Sequence, residues 1–344
     1  VELEHIDCHV VNSRKLSARS VMDVRAKVFD LVQLDIVDGF ARDGQVEALR
    51  ESITLSYEGG QGDAQTIIRE SLELSDNMPT IVEILRKDIK IRELEGKTAD
   101  NKVVVNGIMD IGFLYLCEDP DYPIHYFDEQ IEFAHVVDIA GVYQNMDCTC
   151  DVRIEDLYLA PIQDLNGDLR LVEVEALMFV EASVIERQYR EILIDAYMPD
   201  GALDVAIENI SLAEEVGAGQ SQATTKELIV LPENMPKCDA VLYMDVEAGI
   251  TDEQLYEGKA ILEGVLSVNI LYQSKESGGG IASFKQEIPF SQDVEIDGVY
   301  AGMDCESSIQ VDRASFSLVT SDEIEIKVTT AAQAKVFKDV EINV

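Results

Sequence analysis

The stretch VDIAGVYQNMDC, residues 137–148, returns as VEIDGVYAGMDC at residues 294–305, with eight of its twelve positions identical. The match extends backwards without a gap, so that roughly Asp35–Cys148 repeats as Ile192–Cys305 at a constant offset of 157 residues. This period is far longer than a solenoid unit. The sequence therefore predicts tandem duplication of a whole domain together with its linker.

The residues after each Met-Asp-Cys recur more loosely, since VEVEALMFVEASVIE (172–186) is similar to IEIKVTTAAQAKVFK (324–338). The N-terminal segment carries the same tail, with Ile6-Asp7-Cys8 followed by LSARSVMDVRAKVF from Leu16. We therefore predict the C-terminal half of a first domain followed by two whole domains. The predicted boundaries are 1–40 for the half domain, 41–66 for a helix and linker, 67–198 for the second domain, 199–223 for a second helix and linker, and 224–344 for the third domain.

Apolar residues alternate with polar ones through much of each unit. Val172, Val174 and Ala176 alternate with glutamates, and Asn166-Gly167 stands between two such runs as a hairpin turn signal. This pattern is typical of strands with one face in water. The predicted fold class is mainly β, with tandem antiparallel β-sandwich-like domains and short linker helices.

The linker helices are predicted from apolar stripes at helical spacing in two related segments. The segments are DGQVEALRESI, with Val46, Leu49 and Ile53, and DGALDVAIENI, with Leu203, Ala206 and Ile210. Each precedes a stretch rich in glycine, glutamine and serine, which predicts a flexible linker. These stretches are YEGGQGDAQT (57–66) and EVGAGQSQAT (215–224).

We call the twelve-residue segment at 137–148 and 294–305 the repeated dozen. Structural roles explain three kinds of position in it. Glycine ends a strand or forms a bulge, tyrosine supplies apolar area with a hydroxyl, and aspartate bonds the backbone of its own turn. These positions are Gly141, Tyr143 and Asp147 in one copy and Gly298, Tyr300 and Asp304 in the other. A catalytic cysteine would need a neighbouring base. That role is disfavoured because Gln292 stands at the position of His135.

Three of the six cysteines, Cys8, Cys148 and Cys305, hold the same place in each tail. We interpret them as buried core thiols, with crosslinks between neighbouring chains as the alternative if they are exposed. Cys148 and Cys150 form a C-x-C pair, but no second pair or histidine couple completes a zinc site.

Asp164, Asn166 and Asp168 space three oxygen-bearing side chains at alternate positions, as in calcium loops. The glycine and downstream glutamate of an EF-hand are missing, so we favour a hairpin loop and keep calcium as the weaker hypothesis. The usual motifs for phosphate, dinucleotide or protease chemistry are also missing. We therefore predict no cofactor and no enzymatic activity.

The charge balance is extreme, with 67 acidic residues against 27 basic ones and a formal net charge of −40. Such a surface repels nucleic acid and anionic lipid, so we expect partners of neither kind. We expect no membrane insertion, because no apolar run is long enough to span a bilayer. We see no signal peptide and expect synthesis in the cytosol, although a first residue Val1 also fits a trimmed chain.

The order of NMPTIVEIL, VVVNGIMDIGFLY and IEFAHVVDIAGVYQNMDC, followed by an EVEA-type tail, resembles the SPOCS domain of clostridial and related spore formers. That domain is named for spore coat assembly and occurs in the SpoIVA-interacting protein. The resemblance covers nearly the whole chain, as one half copy and two full tandem copies. No LysM domain follows in the sequence, so we expect no docking through one. The resemblance supplies no catalytic residues.

The resemblance implies a non-enzymatic structural protein of the spore envelope that acts in coat assembly through contacts with other coat proteins. It further implies synthesis in the mother-cell cytoplasm and deposition on the spore surface. One alternative is a self-assembling fibre or appendage subunit, a homo-oligomer or polymer formed by strand completion of the half domain and locked by disulfides. A second alternative is a calcium- or glycan-binding surface module.

Overall fold

The computed structural model describes residues 2–24, 46–199, 209–274 and 280–343. Strands and the turns between them make up these ranges, which contain no helix. The strands are β1 (Glu2–Asn12), β2 (Lys15–Asp23), β3 (Glu47–Glu73), β4 (Glu83–Ala99), β5 (Lys102–Leu116), β6 (Ile124–Asp138), β7 (Asp147–Gln163), β8 (Leu169–Tyr197), β9 (Asn209–Val230), β10 (Cys238–Tyr256), β11 (Lys259–Ser274), β12 (Ile281–Glu295), β13 (Asp304–Leu318) and β14 (Glu323–Asn343).

Twelve of these strands form two sandwiches with the same topology, and every strand pairing is antiparallel. In the first sandwich, a front sheet of order β4-β5-β6 packs on a back sheet of order β3-β8-β7. In the second sandwich, the front sheet is β10-β11-β12 and the back sheet is β9-β14-β13. The mainly β fold class predicted from the alternating pattern is therefore confirmed.

The core of each sandwich lies between its two sheets. In the first, Met109 and Ile111 of β5 pack against Val174 and Met178 of β8, and all four are fully buried. In the second sandwich the matching layer comes from β11 and β14. The glutamates between the buried positions of β8 point to the other side of the sheet, because side chains alternate along a strand.

The predicted linker helices are wrong where the structure describes them. Residues 47–53 open β3 and pair with the end of β8, with Leu49 opposite Asp195. Ile53 is buried whereas Leu49 is 58% exposed, so the two do not share one apolar stripe. The second predicted helix falls mostly outside the described residues, and its last member, Ile210, lies in β9.

The predicted flexible linkers are also wrong, because 57–66 lies within β3 and 215–224 within β9. Their glycines face the repeated dozen across the sandwich. A Cβ atom at Gly62 would lie 2.9 Å from Ile139 Cγ1, and one at Gly219 would lie 2.3 Å from the Glu295 carbonyl oxygen. Glycine is needed here because it lets the back sheet approach the end of the front sheet closely.

The described part of the predicted half domain, residues 2–24, is a separate β1–β2 hairpin in which Cys8 pairs with Ala18. Its apolar side chains are largely in solvent, with Ile6 58%, Val10 76% and Leu16 72% exposed. Residues 25–40 lie outside the described residues. A two-stranded hairpin alone is marginally stable in water, and no other strand of the described residues pairs with this one.

Candidate interaction surfaces

The dozen at residues 137–148 fastens the turn after β6 to the turn between β4 and β5. The Ile139 N–H donates to the Asn101 carbonyl at 3.0 Å, and the Asn101 N–H donates to the Val142 carbonyl at 2.7 Å. Gly141 has a positive φ of 87°, and its N–H donates to the Asn101 side-chain oxygen at 2.9 Å. Val142, which the sequence analysis did not single out, is 3% exposed and closes the core.

The second copy repeats this fastening at the same offset. The Ile296 N–H donates to the Gly258 carbonyl at 2.9 Å, and the Gly258 N–H donates to the Val299 carbonyl at 3.0 Å. Gly298 has a positive φ of 81°, and Val299 is fully buried. The dozen thus seals one end of each sandwich, since two backbone hydrogen bonds and a buried valine fix the turn.

The tyrosines of the dozen remain on the surface, with Tyr143 49% and Tyr300 56% exposed. The Tyr143 hydroxyl donates to Glu186 Oε1 at 3.0 Å. The Asp147 carboxylate does not bond the backbone of its own turn but contacts Arg187 Nε of β8 at 2.8 Å. Asp304 is likewise exposed at the start of β13.

The three repeated cysteines occupy different environments. Cys148 and Cys305 are half-buried and pack against the cores at the sealed ends, whereas Cys8 is exposed on the hairpin. Burial is the main cause that raises the pKa of Cys148 above its ordinary value and that of Cys305 to about 11. Since only the thiolate is nucleophilic, these two thiols are poorly placed for crosslinking.

The surroundings of the repeated thiol differ between the two copies, because Gly96 and Cys150 of the first copy are replaced by Glu253 and Ser307 in the second. A Cβ atom at Gly96 would lie 2.4 Å from Cys150 Sγ and 2.8 Å from Cys148 Sγ, so the two thiols fill the space beside this glycine. At the equivalent positions the Ser307 hydroxyl donates to Glu253 Oε1 at 2.7 Å. The C-x-C pair therefore has a packing role that a position-by-position comparison of the repeats would have revealed.

The Asp164–Asp168 segment forms the turn between β7 and β8. Asp164 Oδ1 accepts the N–H of Asn166 at 2.8 Å and that of Asp168 at 2.9 Å, and Gly167 has a positive φ of 91°. These bonds, that from the Asp168 amide foremost, hold the pKa of the Asp164 carboxyl below its ordinary value. The Asp164 carboxylate thus stabilises its own turn by accepting backbone hydrogen bonds. Calcium binding here stays a prediction.

The two sandwiches dock on each other through charged side chains. Arg92 is 8% exposed, forms a two-pronged ion pair with Asp110 of its own sandwich, and donates from Nη1 to the Asp312 carbonyl of the second at 2.9 Å. Lys90 Nζ lies 2.6 Å from Asp245 Oδ1. Hydrogen bonding to Asp110 is the main cause that raises the pKa of Arg92, so its charge is permanent.

Aromatic rings lie beside these charged contacts, and a separate apolar cluster also joins the two sandwiches, where Ile53 and Ile192 pack near Leu212. The rings of Tyr126 and Tyr243 lie 5.0 Å apart, and the Arg86 guanidinium lies 4.6 Å from the Tyr243 ring centre. Burial raises the pKa of both tyrosines, so both stay neutral. Cation–π and ring contacts of this kind stabilise a partly desolvated interface.

A cleft of about 570 Å³ runs beside these contacts and is lined by both sandwiches. Apart from Asp245, which matches Asp88, the charged and aromatic interface side chains described above are not repeated. Tyr243 stands at the position of Arg86, and Gly249 at that of Arg92. The contact is therefore heterologous and specific to the order of the two copies. The signal for it in the sequence was the loss of the repeat at these positions.

In the described ranges, no helix is both long and apolar enough to cross a bilayer. The fold and its surfaces define an all-β protein of two docked tandem sandwiches. The model of the SipL SPOCS domain family matches residues 80–162 and again residues 238–319, and the chain thus carries two tandem SPOCS domains. This family consists of non-catalytic interaction domains with a sporulation-related role. No curated protein and no solved structure matches the chain.

Proposed function

We propose that this protein is a non-enzymatic structural component of the bacterial spore envelope that acts in coat assembly by binding other coat proteins. The observation that carries this proposal is the pair of tandem SPOCS domains at residues 80–162 and 238–319. We further propose that the protein is made in the mother-cell cytoplasm and deposited on the spore surface.

The docked arrangement supports a scaffold role. Arg92 and Lys90 hold the two sandwiches in one relative orientation, so that binding surfaces on both are presented at a fixed distance from each other. A partner that contacts both sandwiches gains affinity, because the second contact forms at high effective concentration. The formal net charge of −40 favours coat proteins with basic surfaces.

Fluorescence microscopy of the tagged protein in its sporulating host tests this proposal. We expect a shell of signal around the developing spore, and we expect Arg92→Ala to weaken that shell. The matched control is Arg190→Ala, which removes an exposed arginine of β8 that takes no part in the contacts between the sandwiches described above. A signal that stays diffuse in the mother cell throughout sporulation would contradict the proposed function.

A second candidate function is self-assembly into a fibre or appendage, and the β1–β2 hairpin favours it. Ile6, Cys8 and Val10 alternate along β1 and share one face with Leu16 of β2, where Val10 pairs with Leu16. Both outer edges of this two-stranded sheet are free of other strands in the described structure. Such an edge with an apolar face is suited to completion by strands of another chain.

Light scattering on single variants tests the hairpin. Val10→Asp introduces a charge on the apolar face, whereas Val21→Asp places the same charge on the opposite face, where Val21 pairs with His5 and is 39% exposed. We expect Val10→Asp to reduce particle mass and Val21→Asp to leave it unchanged. Reductant shrinks the particles further if Cys8 crosslinks chains. Equal behaviour of the two variants would rule out the hairpin as the assembling element.

A further inference from the structure

The outer faces of the two back sheets, which point away from the cores, have diverged in charge. We call them the first outer face, on β3-β8-β7, and the second outer face, on β9-β14-β13. Their residues lie in rows across the three strands, and each row of one face has an equivalent in the other. The outward position is established on β14, where Ile324, Ile326 and Val328 are fully buried and the residues between them point to solvent.

The first outer face contains a row of three carboxylates. Glu181 of β8 lies directly between Asp63 of β3 and Asp151 of β7. Arg153 contacts Asp151 at 3.5 Å and Glu181 at 3.6 Å, so one cation serves two of the three acids. Like charges directly opposite on a sheet are destabilising, and this row therefore favours a cationic neighbour.

The equivalent row of the second outer face is uncharged. Gln333 of β14 lies between Gln220 of β9 and Ser308 of β13. In a chain with 67 acidic residues, replacement of all three carboxylates by neutral side chains leaves this part of the second face without the repulsion present on the first.

In a second set of rows, the second face gains positive charge relative to the first. In the first face, Arg69 and Glu175 form a cross-strand ion pair at 2.6 Å. At the equivalent positions of the second face, Lys226 lies directly opposite Lys327. Arg313 of β13 lies nearby, opposite Thr329, and replaces Asp156. All three cations are exposed, and within the described residues none of them forms an ion pair.

Apolar side chains accompany the charges on both faces. Ile67 and Tyr158 are 48% and 54% exposed on the first face, and Leu228 and Val230 are 46% and 57% exposed on the second. Exposed Glu325 also lies on the second face, two residues from Lys327 and opposite Leu228. The first face thus carries the carboxylate row and the second face the cluster of three cations, and each lies beside apolar surface that gains by leaving water.

We propose that the first outer face of one molecule binds the second outer face of another copy of this chain. The carboxylate row of Asp63, Glu181 and Asp151 supplies the negative partner, and Lys226, Lys327 and Arg313 supply the positive one. A second copy is the favoured occupant because the protein itself carries both complementary faces. Contact between them relieves like-charge repulsion on each side.

The size of the faces suits this association. Fifteen residues of β14 at about 3.4 Å each, across three strands about 4.8 Å apart, give a surface of roughly 700 Å². Stable interfaces bury about 800 Å² per partner. Because the two faces differ, the contact is heterologous and each added molecule presents a free face to the next, which generates rings or open chains. This contact uses neither the hairpin nor a coat partner.

Analytical ultracentrifugation of the full chain at low ionic strength tests the proposal. Lys226→Glu with Lys327→Glu reverses the second face, and Asp63→Lys with Asp151→Lys reverses the first. For the second-face variant the matched control is Lys102→Glu with Lys285→Glu, which makes the same change of net charge at exposed positions of the front sheets. Circular dichroism and melting curves confirm that each variant is folded.

We expect the wild-type protein and the front-sheet control to gain mass with concentration, and to lose that gain at about 1 M salt, where the screening length is about 3 Å. Each face-reversed variant alone should associate at least tenfold more weakly. Their equimolar mixture should recover association, because every mixed contact joins opposite charges. A wild-type monomer at all concentrations, loss of association in the control, or a monomeric mixture would overturn the proposal.

Discussion

The two sandwiches keep their sealed ends and differ in the side chains that dock them and in the charges on their back sheets. Asn101 and Gly258 accept and donate the same two backbone hydrogen bonds to the repeated dozen. Beside this common feature, the thiols next to Gly96 are matched by Ser307 and Glu253 in the second copy. The comparison shows that the two copies keep a backbone plan under tight steric control while the side chains around it differ.

The largest expected difference in stability between the copies concerns the back-sheet glycines that contact the repeated dozen. Gly219→Ala should lower the free energy of unfolding by about 3 kcal/mol, because the new Cβ meets the Glu295 carbonyl oxygen at 2.3 Å. Gly62→Ala should cost less, about 2 kcal/mol, because its new Cβ lies farther from its neighbours, at 2.9 Å from Ile139 Cγ1 and 3.0 Å from the Asp138 carbonyl oxygen. Urea denaturation of both variants measures the difference. Equal losses would show that the two sheet contacts are equivalent after all.

The second-largest effect is expected at the interface side chains that only one copy carries. Arg92→Ala should cost about 2 kcal/mol, less than for a fully buried pair, because Asp110 and Asp312 are partly exposed. It should also uncouple the sandwiches, so that calorimetry resolves two transitions in place of one. Lys97→Ala, which removes an exposed pair with Glu95 on the same strand, is the control and should leave one transition. A single transition in the Arg92 variant would mean that other contacts couple the domains.

Thiol labelling sharpens the comparison of the three tails. At pH 8 a thiol with a pKa of about 11, as for Cys305, is roughly 0.1% thiolate. Since burial raises the pKa, it lowers the reactive fraction, and Cys305 should react with iodoacetamide far more slowly than exposed Cys8. Mass spectrometry of peptides from briefly labelled protein gives the order. Rapid labelling of Cys305 or Cys148 in the folded protein would revive the crosslink interpretation.

The smallest effect is expected at the β7–β8 turn, which the second copy does not share in sequence. Asp164→Ala removes the acceptor of two backbone N–H groups and should lower the melting temperature slightly. If the loop binds calcium, added calcium raises the melting temperature of the wild-type protein and leaves that of the variant unchanged. The same calcium response in both proteins would remove Asp164–Asp168 as the calcium site.

Much of the fold was predictable because it depends on local patterning. The alternation around Val174 and the Asn166-Gly167 turn each predicted their elements, since period-two burial and a turn with positive φ are encoded in short stretches. The glycine-rich segments at 57–66 and 215–224 misled, because glycine is unfavourable in strands unless another backbone approaches closely. That requirement comes from the dozen some 80 residues away, and no local pattern carries it.

The candidate surfaces were less accessible to sequence reasoning. Lys226 and Lys327 are 101 residues apart in the chain and become neighbours only through the pairing of β9 with β14. Arg92 and Asp312 are 220 residues apart and meet only when the sandwiches dock. Long-range pairings of this kind are set by tertiary structure, whereas the repeat itself identifies only what both copies share.

The strands at the back of each sandwich also bear on how the protein is best dissected. The family match begins at residue 80, after β3 has ended, and stops at 162, before β8 begins. A fragment cut at those limits would keep the front sheet but discard two of the three strands that cover it. Met109, Ile111 and Phe113 would then face water. The matched segment is thus shorter than the folding unit, which also includes β3 and β8.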